Sequence, residues 1–365
     1  MWWIYPVYIV LVVLVAYVSI KLGDMVDLLD KKTKISGAFI GGVLLAAITS
    51  LPELFTAISS VLIVKDASLA IGDILGSDIF NLMILGVYTL MFFKNFRHCK
   101  INKFHIFSLI VLIFFYLCTA YALFAPVSWQ PILGDINALS IVIFIIYVIT
   151  VIKQPKEENK DEAEVSAVPE KESKLSLKVI IILFIVLSIV LIGVSIGISL
   201  VTEKIIDQIP ALAGSVGGAV LLGICTSLPE VISTFHLFRL KNFDAGYGNM
   251  IGSCTFNFSI LAIADFISWE ATCGDARISE RGIFWNDASA QWMTIFGFVV
   301  IIAVFIITCL KCYTKFFEGK IKGLIATILL AVVVLGGYVC SLILKIDLVN
   351  TPVEATANSL AMLIR

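Results

Sequence analysis

Ten apolar stretches long enough to cross a membrane divide this chain of 365 residues. A helix needs about twenty predominantly apolar residues to span the hydrocarbon core of a bilayer. The stretches lie at 5–24, 36–63, 69–93, 104–125, 132–152, 177–201, 211–238, 245–268, 292–312 and 323–344. A soluble domain of this length could not enclose the apolar surface of a chain that is 60% hydrophobic. The sequence therefore predicts an all-α polytopic membrane protein with ten transmembrane helices.

The positive charges are distributed unevenly over the loops between these segments. Odd-numbered loops contain 20 of the 26 Lys and Arg residues, and the even-numbered loops together with the tail contain six. Because cytoplasmic loops are enriched in Lys and Arg, the odd loops are predicted to be cytoplasmic and both termini to lie outside. The opening MWWIYPVY has no basic residue ahead of its apolar run, which predicts a retained first helix rather than a signal peptide.

The two halves of the chain are similar in sequence. GAFIGGVLLAAITSLPELFTA and GDILGSDIFN in the first half match GSVGGAVLLGICTSLPEVIST and GNMIGSCTFN in the second. Since each half has five segments, the second copy enters the membrane upside down relative to the first. Such inverted repeats occur in transporters that bind their substrate near the bilayer midplane, where the copies meet.

This repeat predicts the organisation of the whole chain. The first repeat covers 1–153 with its α1 motif at 37–81, and the second covers 177–344 with its α2 motif at 214–257. Residues 154–176 are rich in charge and form a cytoplasmic linker. The tail at 345–365 is predicted to lie outside the cell.

Each repeat interrupts an apolar segment with the sequence TSLPE. Proline removes a backbone donor and kinks or unwinds the helix, so we expect freed carbonyls around Ala46 and Gly223. Freed carbonyls at this depth must face protein or a water-filled cavity. Acidic residues inside membranes indicate function. The side-chain ligands predicted from this motif are Glu53 and Glu230 with the hydroxyls of Thr49, Ser50, Thr226 and Ser227.

The second motif of each repeat predicts the facing wall of the same cavity. Glycines four residues apart allow close approach of helices. Ser77 and Asn81 lie four residues apart on one helical face, as do Ser253 and Asn257. Carboxylate, hydroxyl, amide and carbonyl oxygens suit a hard cation such as Ca²⁺ or Na⁺. His, Cys and Met do not accompany them in both halves, which disfavours softer metals.

These paired segments resemble the α-repeats of the Ca²⁺/cation antiporter superfamily, particularly its prokaryotic sodium/calcium exchanger branch. The resemblance implies cations bound between segments 2, 3, 7 and 8. It also implies exchange of Ca²⁺ for several Na⁺ by alternating access, as segments 1 and 6 slide across the bundle. Carried over by position, the implied ligands are Glu53, Glu230, Thr49, Ser50, Thr226, Ser227, Ser77, Ser253 and Asn81.

The chain departs from the family pattern at several positions. Ile48 and Cys225 precede TSLPE where the family usually has Gly. Asn257 stands where Asp is typical, which removes a formal charge and leaves Na⁺ coupling open. Asp78 stands where Asn is usual, three residues before Asn81, and can reach the same cavity. There it either restores the charge or packs beside the ligands.

The predicted function is secondary active cation antiport, not enzymatic catalysis. Transported Ca²⁺ and Na⁺ are the expected ligands, with no permanently bound cofactor. Coupling to H⁺ is the alternative, because desolvation favours the protonated form of a buried carboxyl group. A cation channel is the alternative from another class, although channel filters are built from rings of like groups. The expected partners are inorganic cations and the bilayer of a prokaryotic plasma membrane; no nucleic acid is expected, and one chain is predicted to suffice.

Three further acidic residues lie near the ends of segments. Asp244 and Asp265 are predicted to be solvated. Asp73 is interpreted as interfacial, with a gate residue as the alternative, and Asn249 stands at the matching position of the second repeat. An intramembrane aspartyl protease needs two facing Asp residues, so this neutral counterpart argues against that class.

Overall fold

The computed structural model describes residues 3–65, 67–154, 175–208, 223–269, 282–284 and 288–350. These residues are predominantly helical. The helices are α1 (Ile4–Lys32), α2 (Gly37–Ile63), α3 (Ala67–Met91), α4 (Phe104–Phe124), α5 (Ala138–Lys153), α6 (Leu177–Gln208), α7 (Leu228–Arg239), α8 (Phe243–Ile267), α9 (Ala288–Tyr313) and α10 (Lys320–Asn350). A two-stranded antiparallel hairpin, β1 (Ile132–Leu133) and β2 (Ile136–Asn137), lies between α4 and α5.

Within the described residues, eight helices are long and apolar enough to cross a membrane. The shorter ones are α5, with 16 residues, and α7, with 12 residues. Helix α7 belongs to the seventh predicted segment, 211–238, of which residues 211–222 lie outside the described residues. A multi-pass helical membrane protein is thus confirmed, whereas the count of ten spans and the outside position of the termini stay predictions. Most of the predicted linker and residues 351–365 of the tail also lie outside the described residues.

Helix α8 is the centre of the bundle. In its most apolar window 78% of the residues are buried, against 28% for α6. It packs against α2, α3, α4, α5 and α7. A helix surrounded by protein can carry polar residues that lipid would not tolerate. The motif GNMIGSCTFN therefore lies in the part of the fold best protected from lipid.

Glycines allow α2 and α8 to cross in direct backbone contact. A Cβ atom at Gly41 would overlap the Ala245 carbonyl oxygen, and one at Gly252 would overlap the Gly42 carbonyl oxygen. A Cβ atom at Gly248 would lie 2.9 Å from the Gly42 nitrogen. The predicted close approach of helices at Gly248 and Gly252, the glycines of the second repeat's GNMIGS sequence, is confirmed. Residues Ile40–Leu45 of α2 form a wider π-helical stretch at this crossing.

The apolar core consists of two clusters. The larger one joins α3, α4, α8, α9 and α10, with contributions from α2, α5 and α7. The smaller one joins α1 and α6 with residues of α2, α7 and α8. On the outer faces of α1 and α6, Ile9 is 62% and Ile189 64% exposed, as expected for side chains that contact lipid. Helices α1 and α6 thus form a layer of their own across the rest of the bundle.

The predicted solvation of Asp265 is wrong, and that of Asp244 is only partly right. Asp265 is fully buried, and its carboxylate accepts the backbone N–H groups of Asn137 at 2.9 Å and Ile283 at 2.6 Å. These hydrogen bonds hold the segments around Asn137 and Ile283 against the end of α8, because buried backbone donors need an acceptor. Asp244 is partly exposed, and its Oδ1 lies 3.0 Å from Nε2 of His105.

Candidate cation-binding site

Both TSLPE motifs interrupt their helices at the serine. Ser50 has φ −90° and ψ 9°, and Ser227 has φ −84° and ψ 2°, a sparsely populated region of backbone conformation. A new helix begins at the next residue. Pro52 and Pro229 therefore occupy its first turn, where a missing N–H costs no hydrogen bond. The helix is broken by the serine and restarted by the proline.

The expectation that proline frees the carbonyls of Ala46 and Gly223 is wrong. The Ala46 oxygen accepts the N–H of Ser50 at 3.1 Å, and the Gly223 oxygen accepts the N–H of Ser227 at 3.2 Å. Proline deprives the carbonyl four residues earlier, which in the first repeat belongs to Ile48. Each of the two carbonyls also accepts the threonine hydroxyl of its own motif, so a cation would bind it only after that hydroxyl turns away.

The threonine hydroxyls are held by their own helices. Thr49 Oγ1 donates to the carbonyls of Leu45 at 3.1 Å and Ala46 at 3.3 Å. Thr226 Oγ1 donates to the Gly223 carbonyl at 3.0 Å. With its hydrogen directed to the backbone, each hydroxyl oxygen keeps lone pairs that can face a cation.

The carboxylate of each glutamate accepts a hydrogen bond from a serine of the opposite repeat. Glu53 and Glu230 have no exposed surface. Ser50 Oγ of the first repeat donates to Glu230 Oε1 at 2.8 Å, and Ser227 Oγ of the second donates to Glu53 Oε1 at 3.1 Å. Ser77 Oγ also donates to Glu53 Oε1 at 3.3 Å. The two carboxylates interact electrostatically, so the two copies bring their acidic groups close together in the protein interior.

A chain of hydrogen bonds connects Glu53 to a third acid. Ser77 Oγ lies 2.8 Å from Ser227 Oγ. The Nδ2 atom of Asn257 donates to Ser77 Oγ at 3.4 Å and to Asp78 Oδ1 at 2.9 Å. Asp78 is fully buried. The amide of Asn257 thus links the carboxylate of Asp78 to the network around Glu53.

Several buried oxygens of these residues have no hydrogen-bond partner among the described residues. Buried polar groups in proteins are normally paired, and an unpaired carboxylate oxygen costs several kcal/mol in an apolar medium. A hard cation is the partner that such an oxygen-rich set suits. The unpaired atoms are Oε2 of Glu53, Oε2 of Glu230, Oδ2 of Asp78, Oδ1 of Asn81, Oγ of Ser253 and Oδ1 of Asn257.

Two residues beside the site were not predicted as part of it. Asn249 Oδ1 lies 3.5 Å from Thr49 Oγ1, so it borders the broken helix of the opposite repeat. Asp73 is half-buried rather than simply interfacial, with its Oδ1 atom 3.8 Å from the position of a Cβ atom built on Gly223. The signal for both was their place four residues before Ser77 and Ser253, on the same helical face.

A comparison with known protein families matches most of the chain. The family model of the sodium/calcium exchanger protein matches residues 3–153 and 179–346, which correspond closely to the two predicted repeats. No curated protein sequence matches the chain. The family comprises transporters rather than enzymes, and cation exchange is the activity that it supports.

Solved structures of the sodium-calcium exchanger NCX_Mj share this fold. The one soaked with 10 mM Na⁺ and zero Ca²⁺ has a TM-score of 0.63 and 18% identity, covering 91% of this chain and 96% of that chain. The one soaked with 2.5 mM Na⁺ and 0.1 mM Ca²⁺ has a TM-score of 0.62 and 17% identity, covering 91% and 97%. Because the family model covers both repeats and most of the chain, this protein belongs to the sodium/calcium exchanger family.

Proposed function

We propose that the protein is a secondary active antiporter that extrudes Ca²⁺ in exchange for Na⁺ across a prokaryotic plasma membrane. The observation that carries the proposal is the pair of buried glutamates, each bound by a serine of the other repeat and each with an unpaired oxygen. The proposed side-chain ligands are Glu53, Glu230, Thr49, Ser50, Thr226, Ser227, Ser77, Asn81, Ser253, Asn257 and Asp78, and the proposed backbone ligands are the carbonyls of Ala46 and Gly223.

Exchange follows if the occupants compete for the same charge. One Ca²⁺ neutralises two carboxylates, and Na⁺ ions or protons neutralise them in turn. An empty site leaves buried charges uncompensated, which disfavours the change between outward- and inward-open states without a bound cation. Each cation therefore crosses in the opposite direction to its competitor. The membrane potential adds ~2.3 kcal/mol per charge per 100 mV when more positive charge enters than leaves.

Alternating access is assigned to the layer formed by α1 and α6. This layer has its own apolar cluster and packs over α2 and α7, the two broken helices. Its polar contacts with the site helices include the hydrogen bonds that Asn242, at the start of α8, donates to Asp27 at 3.1 Å and to Asp30 at 2.9 Å. Tyr8 Oη lies 2.9 Å from Cys225 Sγ, and Asp24 Oδ1 lies 2.7 Å from His236 Nε2 near the predicted cytoplasmic end. Sliding of the layer would exchange these contacts and open the cavity to the other side.

Uptake of calcium-45 into everted vesicles tests the proposal. Glu53→Gln and Glu230→Gln keep the shape of the side chain and remove its charge, so each should lower uptake at least about tenfold, because truncating one side of a charged contact costs 1.5–3 kcal/mol. Thr56→Val is the matched control, since the Thr56 hydroxyl donates to the backbone carbonyls of Pro52 and Glu53 within the same helix and leaves the Glu53 carboxylate untouched. Unchanged uptake in both glutamine variants would show that these carboxylates do not bind the transported ion.

Proton coupling is the second candidate, and Asp78 favours it. Glu53 and Asp78 are connected by hydrogen bonds through Ser77 and Asn257, and the buried carboxyl group of Glu230 interacts electrostatically with Glu53. One Ca²⁺ balances two of them and leaves the third for a proton or a monovalent cation. Ca²⁺ flux driven by a Na⁺ gradient or by a pH gradient, with an ionophore clamping the other, separates the two couplings. Single-channel currents would instead identify a channel.

A further inference from the structure

The two repeats differ in charge beside their shared site. Glu53 and Glu230 are matched, but the position of Asp73 in the first repeat is occupied by Asn249 in the second. Asp73 lies seven positions into α3 and Asn249 seven positions into α8. Positions related by an inverted repeat lie at equivalent depths on opposite sides of the midplane. An acid on one side thus corresponds to an amide on the other.

The two side chains border equivalent structures. Asn249 Oδ1 lies 3.5 Å from Thr49 Oγ1 at the broken helix of the first repeat. Asp73 Oδ1 lies 3.8 Å from the position of a Cβ atom on Gly223, three residues before Thr226 at the broken helix of the second repeat. Each residue therefore borders the break in the opposite repeat, on its own side of the glutamate pair.

The surroundings of the two residues are chemically different. Asn249 is fully buried, and its Nδ2 atom donates to Thr234 at 2.9 Å and to Ser233 at 3.2 Å. Both hydrogen bonds of this neutral amide group are made within the protein. Asp73 is only half-buried and interacts electrostatically with Glu53. At this matched position the predicted outer side carries a carboxylate and the predicted cytoplasmic side an amide. The acids at the predicted cytoplasmic end bond to His236, Asn242 or His105; they are Asp24, Asp27, Asp30 and Asp244.

The distribution of Lys and Arg predicts which side carries the carboxylate. Helix α8 follows Arg239 and Lys241, so Asn249 lies in the predicted cytoplasmic half of the membrane, and Asp73 lies in the outer half. A fixed charge beside a low-dielectric path raises the local concentration of cations. The effect grows with the charge of the cation, so Ca²⁺ gains more than Na⁺.

We propose that Asp73 attracts cations on the outer side of the glutamate pair. It makes the apparent affinity for cations on that side higher than it would be with an amide at this position, as in the second repeat. Asp73 acts on cations before they reach the glutamate pair and leaves the ligands themselves unchanged. The inference rests on the proposed function, because it concerns the two faces of one exchange cycle.

The test compares the two faces of the membrane in right-side-out and everted vesicles. The isosteric change Asp73→Asn should raise the half-saturating Ca²⁺ concentration at the outer face about three- to tenfold, with a smaller rise for Na⁺, because one charge near the path is lost. The value at the cytoplasmic face should stay within about twofold of wild type. The mirror change Asn249→Asp should lower the half-saturating Ca²⁺ concentration at the cytoplasmic face only.

The variant Asp73→Glu separates charge from shape. It keeps the charge with an altered length, so it should retain the wild-type outer value, whereas a merely structural role would be disturbed by Glu as well as by Asn. Equal effects of Asp73→Asn on both faces, or none on either, would overturn the inference while wild-type exchange upholds the proposed function. A wild-type protein that exchanges no cation at either face would overturn both.

Discussion

Ser50 Oγ donates a hydrogen bond to Glu230 Oε1 at 2.8 Å across 180 positions of sequence. The matching serine of the second repeat, Ser227, binds Glu53 at 3.1 Å. Neither glutamate is oriented by the serine of its own TSLPE motif. Each carboxylate therefore takes part of its orientation from the opposite repeat, and Glu53 also accepts a hydrogen bond from Ser77 of its own repeat.

This reciprocity predicts similar losses from the two serines. Ser50→Ala and Ser227→Ala each remove a hydrogen bond to a charged group, worth about 1.5–3 kcal/mol. Each should raise the half-saturating Ca²⁺ concentration tenfold or more in vesicle uptake. Thr56→Val, whose hydroxyl bonds to Pro52 within the helix, should stay near wild type. A large effect of one serine with none of the other would contradict the reciprocal arrangement.

The third carboxyl group predicts a change in coupling. Asp78→Asn removes one charge beside Asn257, so one monovalent cation or proton fewer should accompany each Ca²⁺. Initial rates of Ca²⁺ flux, measured against the concentration of the coupling cation, should rise less steeply in the variant. Ser259→Ala serves as the control, because the Ser259 hydroxyl donates to the Phe256 carbonyl within α8. An unchanged steepness in Asp78→Asn would exclude this carboxyl group from coupling.

The crossing of α2 and α8 predicts a strong effect of a single methyl group. Gly252→Ala places a Cβ atom against the Gly42 carbonyl and should cost about 2 kcal/mol or more, because overpacked backbone contacts force the helices apart. Thermal unfolding of the detergent-solubilised protein measures the loss. Gly193→Ala in α6 is the matched control, since a Cβ atom there has no neighbour within 4 Å. Equal midpoints for the two variants would contradict the close crossing.

The buried carboxylate of Asp265 predicts a stability effect distant from the proposed ligands. Asp265→Ala leaves the N–H groups of Asn137 and Ile283 without this acceptor, at about 1–3 kcal/mol for each buried donor. The unfolding midpoint should fall, while the half-saturating Ca²⁺ concentration measured well below that midpoint should not change. Ser128→Ala, at an exposed position of the nearby loop, should leave both quantities unchanged. A wild-type midpoint in Asp265→Ala would show that the loops are held by other contacts.

Much of the fold class and of the candidate site could be predicted because the signals are local in the chain. Long apolar runs predict membrane helices wherever they occur. Glu53 and Glu230 could be selected because an acid beside a proline is costly in lipid and occurs here twice. Ser77 and Asn257 followed from helical spacing alone, and both belong to the network around the glutamates.

The sequence by itself thus determined a duplicated helical membrane protein and the residue types of its cavity, because hydropathy and repetition are read along the chain. Only the tertiary structure decided that Ser50 binds Glu230, that Asp265 is buried under two loops, and that the Ala46 carbonyl keeps a backbone donor. Hydrogen bonds between distant segments depend on how the helices pack in three dimensions, and burial at a helix end depends on which loops cover it.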